Sequence, residues 1–259
     1  MGEIHVWKAS VAAYTPYERA LGSLLEAGEL ERGMRFYFDS DRVRHVVSRG
    51  VLRTLAGHYL GKPPAALRFG LGPYGKPHLD GDNAGDLVFN LSHSGDVVLI
   101  ALASSGRIGV DVEYWTQRRD AEGIDRIAES VFSAAERAAL RVLAPADRRA
   151  ASFMVWSRKE AYIKATGLGV SHGLDHFDVS ADIGEARLLA DRRGAVDVGD
   201  WALYDLAPGH GYSGALAIDD RNRALVQLNA VTTLLMHDGD ASVDRHPGSV
   251  PGTCRPDES

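Results

Sequence analysis

Cysteine is nearly absent from this sequence: Cys254 is the only one among 259 residues. A single thiol cannot close an intramolecular disulfide, and it excludes a zinc site built from several cysteines. We therefore expect a reducing compartment, the cytoplasm. Long apolar runs are lacking too, since none reaches about 18 residues, and no basic segment followed by an apolar run opens the chain. The sequence thus predicts neither a membrane span nor secretion.

An excess of positive charge is also lacking. The chain has 29 Lys and Arg against 35 Asp and Glu, which gives a net charge of −6. This balance excludes a surface that binds nucleic acid through general positive charge, so any polyanion must be met by a local basic pocket. With 45% hydrophobic residues, the chain can form one large domain or two smaller halves, each with a packed core.

Two acidic residues share one face of a predicted strand. Between Ile108 and Glu113, apolar residues alternate with Gly109, Asp111 and Glu113. In a strand the two carboxylates point to the same side, about 6 to 7 Å apart at Cα, where one divalent cation or its bound water can reach both. The alternative is the solvated polar side of a half-exposed strand.

A second segment, from Trp156 to Lys164, reads W-S-R-K-E-A-Y-I-K. In a helix Glu160 and Lys164 lie one turn apart on one stripe, so a base and a cation point the same way. A surface ion pair explains the same spacing. Taken with Asp111 and Glu113, however, these residues predict a Mg²⁺ site with oxygen ligands that handles a phosphate.

Three further segments carry polar groups. A predicted amphipathic helix over 40–60 has four arginines, either on a solvated basic face or reaching an anionic ligand, at positions 42, 44, 49 and 53. The turn from Gly72 to Pro77 presents Lys76 at a defined place. Residues 90–95 read as a loop of small donors around His93, which is either functional or a structural histidine in a turn.

The predicted elements favour an α+β fold over regular βαβ winding. Helices are predicted over 17–31, 40–60, 121–143 and 152–166, with Pro145 as a helix breaker; strands are predicted over 4–7, 86–89, 97–103, 108–113, 177–180, 186–189, 201–206 and 213–218. Helices followed by an apolar hairpin occur in both halves, which hints at an internal duplication. The polar segment 236–259 is expected to be disordered.

Four motifs occur together in this sequence: Tyr74-Gly-Lys-Pro77, Asn90-Leu-Ser-His93, Gly109-Val-Asp-Val-Glu113 and the nine residues from Trp156 to Lys164. In their order and spelling the chain closely resembles the Sfp-type 4′-phosphopantetheinyl transferases over residues 30–220. These enzymes move the phosphopantetheine arm of coenzyme A onto a serine of a carrier protein.

The resemblance implies a fold and a set of site residues. The fold is a pseudo-dimer of two similar α+β halves with the active site in the cleft between them: 1–105 binds coenzyme A and 106–235 carries the metal and catalytic residues. The implied Mg²⁺ ligands are Asp111, Glu113 and Glu160, and the implied catalytic residues are Glu160 and Lys164. The implied coenzyme A contacts are Arg44, Tyr74, Gly75, Lys76, Pro77, Asn90, Ser92, His93, Asp111 and Lys164. Arg32 and residues 35–37 resemble the family's basic region for the 3′-phosphate, and the role of His45 stays open.

The resemblance also implies partners: apo acyl or peptidyl carrier proteins of fatty acid or secondary metabolite pathways, met by a monomer in the cytoplasm. The arginines of 137–149 either face an acidic carrier helix or form a solvated surface. Two alternatives remain. One is an inactive module that binds coenzyme A or a carrier; the other is a serine esterase, since Gly169–Gly173 fits G-x-S-x-G. An esterase elbow needs a strand before its serine, whereas a helix is predicted here.

Overall fold

A computed structural model describes residues 2–83, 85–115, 121–169, 173–193 and 196–230. These residues form a mixed α+β structure. The α-helices are α1 (Val11–Tyr14), α2 (Glu18–Gly22), α3 (Ala27–Met34), α4 (Asp39–Leu60), α5 (Ala121–Val131), α6 (Ala134–Arg141) and α7 (Pro145–Thr166). The strands are β1 (Glu3–Ser10), β2 (Phe69–Leu71), β3 (Pro77–Leu79), β4 (Val88–Ser94), β5 (Val97–Ala103), β6 (Ile108–Tyr114), β7 (Phe177–Val179), β8 (Leu188–Asp191), β9 (Ala202–Leu206), β10 (Tyr212–Ile218) and β11 (Ala224–Asn229).

Two sheets form the centre of the molecule. The first sheet has the strand order β11-β1-β5-β4, and the second has the order β6-β10-β9. Strand β5 is buried along its whole length because both of its faces are covered. Val98, Ile100 and Leu102 belong to the same core as the apolar stripe of α4, whereas Val97 and Leu99 pack with residues of the second sheet. Continuous apolar character is what such a doubly covered strand requires.

Helix α7 covers the other face of the second sheet. Its Ala161 and Ala165 share a core with Ala215 and Ala217 of β10, so small residues on both sides allow close packing. The layers therefore run α4, first sheet, second sheet, α7. The helix ends at Thr166, where Gly167 takes a positive φ of 72° as its C-cap.

The last described strand returns to the start of the chain. Strand β11 pairs with β1 in parallel, from Glu3 with Ala224 to Lys8 with Asn229. This strand lies in the segment that the sequence assigns to the second half, 106–235, yet it belongs to the first sheet. Sheet membership therefore does not follow the predicted boundary for β11.

Several predicted elements are confirmed and several are wrong in detail. Helix α4 and strands β5 and β6 match their predicted spans closely. The predicted helix over 17–31 is two helices, as is the one over 121–143, and Pro145 begins α7 as its first residue, where its missing N–H costs nothing. Residues 90–94 are not a loop, because β4 continues through them to Ser94.

The predicted disordered segment 236–259 lies outside the described residues. None of the helices in the described part of the chain combines the length and the apolar character needed to cross a lipid bilayer.

Candidate active site

Strand β6 touches helix α7 directly because Gly109 leaves no side chain between them. A Cβ atom at Gly109 would lie 2.1 Å from the carbonyl oxygen of Ala161 and 2.3 Å from the backbone nitrogen of Ala165. Only glycine permits this backbone contact. Asp111 follows two residues later on the same face of the strand, so its carboxylate is directed at α7.

Residues from three elements meet around the carboxylate of Asp111. The Nζ of Lys164 on α7 lies 2.6 Å from Asp111 Oδ1 and donates to Ser92 Oγ on β4 at 2.9 Å. The hydroxyl of Ser92 donates to the same Asp111 oxygen at 3.1 Å. The Asp111 side chain is 3% exposed, and that of Lys164 is 29% exposed. A buried carboxylate therefore faces an ammonium group that solvent and ligands can still reach.

Glu113 lies next to this cluster and is held by two donors. Trp156 Nε1 donates to one carboxylate oxygen at 3.2 Å, and Ser94 Oγ donates to the other at 3.4 Å. Burial raises the pKa of Glu113, and the negative charge of Asp111 adds to the rise. The alternative interpretation, a solvated side of a half-exposed strand, does not hold here, since Ile108 to Val112 are all buried.

Glu160 completes the acidic group. Burial raises its pKa to about 7; Asp111 and Glu113 contribute to the rise, and Lys164 opposes it. Each of these two glutamates thus titrates under the influence of Asp111. The structure therefore brings together the three carboxylates and the lysine that the sequence singled out.

The chemistry of these groups suits a hard cation, although their arrangement is not a closed ligand shell. Within the described ranges, no group of three or more His, Cys, Asp or Glu residues is arranged to hold a metal ion. One Asp111 oxygen is bonded to Lys164, but its other oxygen, Oδ2, is buried and has no hydrogen-bond partner. This unpaired oxygen, together with the carboxylates of Glu113 and Glu160, forms a set of oxygen donors of the kind that Mg²⁺ favours.

His93 on β4 and Arg44 on α4 lie close together on the side of the first sheet. His93 lies on β4 with its side chain exposed, although surrounding protein partly desolvates the ring and lowers its pKa, with a further contribution from Arg44. Arg44 is oriented by two bonds, from Nε to the Gly95 carbonyl at 3.1 Å and from Nη1 to Asp41 at 2.6 Å. Both groups can contact an anion, and His93 lies close enough to Arg44 and to Lys164 for their charges to act on it.

Lys76 is not brought into this group. Its Nζ donates to the carbonyl oxygens of Ile108 at 2.9 Å and Ala165 at 3.0 Å, at the start of β6 and the end of α7. Burial lowers the pKa of Lys76 to about 8. Its neighbours in the turn differ: Tyr74 is 57% exposed, Gly75 is exposed with a φ of 80°, and Pro77 opens β3.

A separate cavity of about 210 Å³ lies between α3, α4 and the β2–β3 hairpin. Arg32, His45, Arg49 and Pro77 line it, together with Glu29. His45, whose role the sequence left open, is buried, and its Nε2 forms a hydrogen bond with the Glu29 carbonyl at 2.8 Å. This contact is structural. In the neighbouring predicted segment, Tyr37 is 92% exposed and lines no part of this cavity.

Comparison with known proteins places this chain in a family. A model of the N-terminal region of 4′-phosphopantetheinyl transferases matches residues 6–105, and a model of the 4′-phosphopantetheinyl transferase superfamily matches residues 107–216. The chain is 33% identical over 218 residues to the 4′-phosphopantetheinyl transferase HetI of Nostoc sp., covering 83% of this chain and 87% of the relative. This chain belongs to the 4′-phosphopantetheinyl transferase superfamily.

Other relatives carry the same name. A 4′-phosphopantetheinyl transferase of Bacillus subtilis is 33% identical over 162 residues, 62% of this chain and 69% of the relative. A phosphopantetheinyl transferase of Thraustochytrium sp. is 30% identical over 206 residues, 75% and 71% of the two chains. The chain is therefore an enzyme that transfers phosphopantetheinyl groups, and the sequence prediction of that family is confirmed.

Two residues that contact the transferase's acidic group were not predicted as site residues. Trp156 and Ser94 each bond to Glu113, as described above. Trp156 is the first residue of the motif that ends at Lys164, so this motif could have indicated it as a site residue. Ser94 could be found only once β4 was recognised as a strand, because period-two alternation from Ser92 places it on the same face.

The arginines of 137–149 have contacts that neither sequence interpretation anticipated. Arg137 donates to the carbonyls of Glu129 and Phe132 at the end of α5. Arg148 donates to the carbonyls of Leu140, Arg141 and Leu143 at the end of α6. Both satisfy carbonyl groups that a helix C-terminus leaves free, so each has a structural function.

The esterase alternative concerns residues of which only the flanks are described. The serine and histidine of Gly169–Gly173 lie outside the described residues. Before the motif stands helix α7, and after it come a 3-10 turn over Leu174–His176 and strand β7. A nucleophile elbow has the reverse order, strand then helix, so these flanks do not form one.

Proposed function

We propose that this transferase moves the phosphopantetheine arm of coenzyme A onto a serine of an apo acyl or peptidyl carrier protein. The serine oxygen forms a bond to the β-phosphorus of the coenzyme A diphosphate. The bond from that phosphorus to the bridging oxygen breaks, and 3′,5′-ADP leaves with the electron pair. The serine proton passes to a base of the enzyme.

The observation that carries the proposal is the group formed by Asp111, Glu113, Glu160 and Lys164 where β6 meets α7. Phosphoryl transfer requires alignment and charge neutralisation more than covalent chemistry from the protein. The Nζ of Lys164 lies 2.6 Å from the buried carboxylate of Asp111, and its charge also acts on Glu113 and Glu160. One small region therefore holds both cationic and anionic groups.

Asp111, Glu113 and Glu160 are the residues that would hold Mg²⁺ in this proposal. The orphaned Oδ2 of Asp111 supports this assignment, because a buried carboxylate oxygen needs a partner. When bound, Mg²⁺ would neutralise negative charge on the diphosphate. Burial is the main cause of the raised pKa values of Glu113 and Glu160, and the negative charge of Asp111 adds to both, so a bound cation would relieve repulsion among the three carboxylates.

Each residue of the site then has its own role in the transfer. Glu160 accepts the serine proton, directly or through a water molecule. Lys164 donates to the departing phosphate and stabilises its charge. His93 and Arg44 contact the phosphates of coenzyme A from the first sheet's side, with Arg32 as a further contact for the 3′-phosphate. Tyr74, Gly75 and Pro77 lie against the nucleotide.

We further infer that the two sheets belong to two similar halves and that coenzyme A lies in a cleft between them. His93 on the first sheet and Asp111 on the second support this inference, because they face the same group of charges. One chain then supplies every residue of the proposed site, so a monomer suffices. A cytoplasmic location accords with its substrates.

The deciding experiment is mass spectrometry of candidate apo carriers incubated with coenzyme A, Mg²⁺ and the enzyme. We expect the mass of the phosphopantetheine arm on the carrier and an equal amount of 3′,5′-ADP. The matched variant Glu160→Gln keeps the size and hydrogen-bonding capacity of the side chain, and should lower the transfer rate by at least about 100-fold, as loss of a general base does.

Two results would contradict the proposal. Undiminished turnover in Glu160→Gln refutes the role of that residue. Tight coenzyme A binding without release of 3′,5′-ADP, for every carrier class offered, would instead establish the inactive binding module.

A further inference from the structure

Strands β4 and β6 lie side by side but are joined through side chains. Strand β4 is an edge of the first sheet and β6 an edge of the second, and each pairs by backbone only with its own sheet. Between them, Asn90 Oδ1 accepts from the amide of Val110 at 2.8 Å, and Ser94 Oγ accepts from that of Tyr114 at 3.0 Å.

Ser92 lies between these two contacts and repeats the pattern. Its hydroxyl accepts a longer bond, 3.4 Å, from the amide of Val112. In all three contacts the partners are 20 residues apart in sequence. The two strands therefore run in the same direction, and polar side chains of β4 replace the carbonyl groups that a neighbouring strand would offer.

The contact at Val110 satisfies an amide in the interior of the protein. Asn90 is 5% exposed, and Val110 is fully buried, so the amide of Val110 would be left unpaired without the Asn90 side chain. A buried, unpaired N–H is unfavourable enough that folded proteins rarely contain one. The alternating spacing also excludes a slip by one residue, which would present Leu91 and His93 to β6.

The register determines which charged groups face one another. His93 belongs to the same strand as the three acceptors, and Asp111 and Glu113 belong to the strand that carries the three donors. Ser94 has a second contact, donating to Glu113 Oε2 at 3.4 Å. A displacement of β6 along β4 would thus move both carboxylates relative to His93 and to Ser92.

We propose that Asn90 and Ser94 are positioning residues that set the register between the two sheets and so hold Asp111 and Glu113 in place for transfer. The predicted role of Asn90 as a coenzyme A contact differs from this one, since its side-chain oxygen is bonded to β6. The consequence for activity rests on the proposed function, whereas the register itself does not.

The register is tested by amide hydrogen exchange resolved to single residues. In Ser94→Ala the amide of Tyr114 should exchange about tenfold faster, the effect expected for one lost hydrogen bond, while that of Val110 is unchanged. Asn90→Ala should show the opposite pattern. Ser94→Thr keeps a hydroxyl and should restore slow exchange at Tyr114. If neither alanine variant changes the exchange rate at its partner amide, the proposal is overturned. If Asn90→Ala does not fold, Ser94→Ala alone decides the test.

The positioning role is tested by separating turnover from binding. Both alanine variants should lower kcat by at least about tenfold, because small displacements of reacting groups are costly in rate, and Ser94→Thr should recover most of it. The Kd of coenzyme A, measured by calorimetry, should stay within about twofold, since no direct contact is lost. A raised Kd with unchanged kcat would make these residues ligands and overturn the proposal. A wild-type enzyme that transfers nothing would refute the proposed function, while the exchange result would still decide the register.

Discussion

Replacing Gly109 with alanine should separate helix α7 from strand β6. The new Cβ would lie 2.1 Å from the Ala161 carbonyl oxygen and 2.3 Å from the Ala165 nitrogen. Favourable contacts of a carbon atom begin at about 3.5 Å, so the helix must retreat by about 1 Å or more. Both contacting atoms belong to the helix backbone, which cannot move away by changing rotamer as a side chain can.

The magnitude follows from that geometry. Overpacking costs about 1–3 kcal/mol, and we place Gly109→Ala at about 3 kcal/mol because no flexible group can move away. At about 2–4 °C per kcal/mol for a chain of this size class, the Tm should fall by about 6–12 °C. A shift of about 1 Å between Asp111 and Lys164 should lower kcat about 100-fold. Calorimetry and the carrier assay measure the two effects.

Gly123→Ala is the matched control. This glycine lies within α5, and a Cβ there would meet nothing within 4 Å. Alanine in a helix interior is favoured over glycine by roughly 0.5–1 kcal/mol, so this variant should be slightly more stable and fully active. Equal Tm values and equal activity in the two variants would refute the argument that backbone contact at Gly109 determines the position of α7.

Three further outcomes are expected. His93→Ala should weaken coenzyme A binding, measured by calorimetry, more than it slows saturated turnover; equal affinity would contradict its assigned contact. Lys76 has a folded pKa of about 8, below its ordinary 10.5, so the unfolded chain binds more protons in that window. The unfolding free energy of the wild type relative to Lys76→Met should therefore rise between about pH 8 and 10.5 in urea titrations; a pH-independent difference would argue against it. Lys159→Met should cost about 3–5 kcal/mol, because it leaves Glu136 buried without its cation, and adding Glu136→Gln should recover part of that loss.

The sequence predicted the elements whose pattern is local. Strand β6 follows from strict alternation, and α7 follows from the spacing of Glu160 and Lys164 within a long motif. Gly109 was recognised only as part of that motif. Its physical role depends on backbone atoms more than 50 residues away, at Ala161 and Ala165, which no local pattern contains.

The errors arose where tertiary contacts override composition. Asparagine and serine are typical of turns, so residues 90–94 read as a loop, yet their side chains bond to the amides of β6 and extend a strand. Lys76 is a different case: its predicted contact with coenzyme A stays a prediction, and its hydrogen bonds to two carbonyl groups could be found only from the fold. Strand β11 was not predicted at all, because the strand that it pairs with is β1, at the opposite end of the described chain.

That last pairing has a consequence for synthesis on the ribosome. During translation β1 emerges about 220 residues before β11, the strand that covers one of its edges. Until then, the open edge of β1 is available to other extended segments. The complete fold is therefore reached late, and truncations that remove Ala224–Asn229 should promote aggregation, even though they spare every residue of the proposed site.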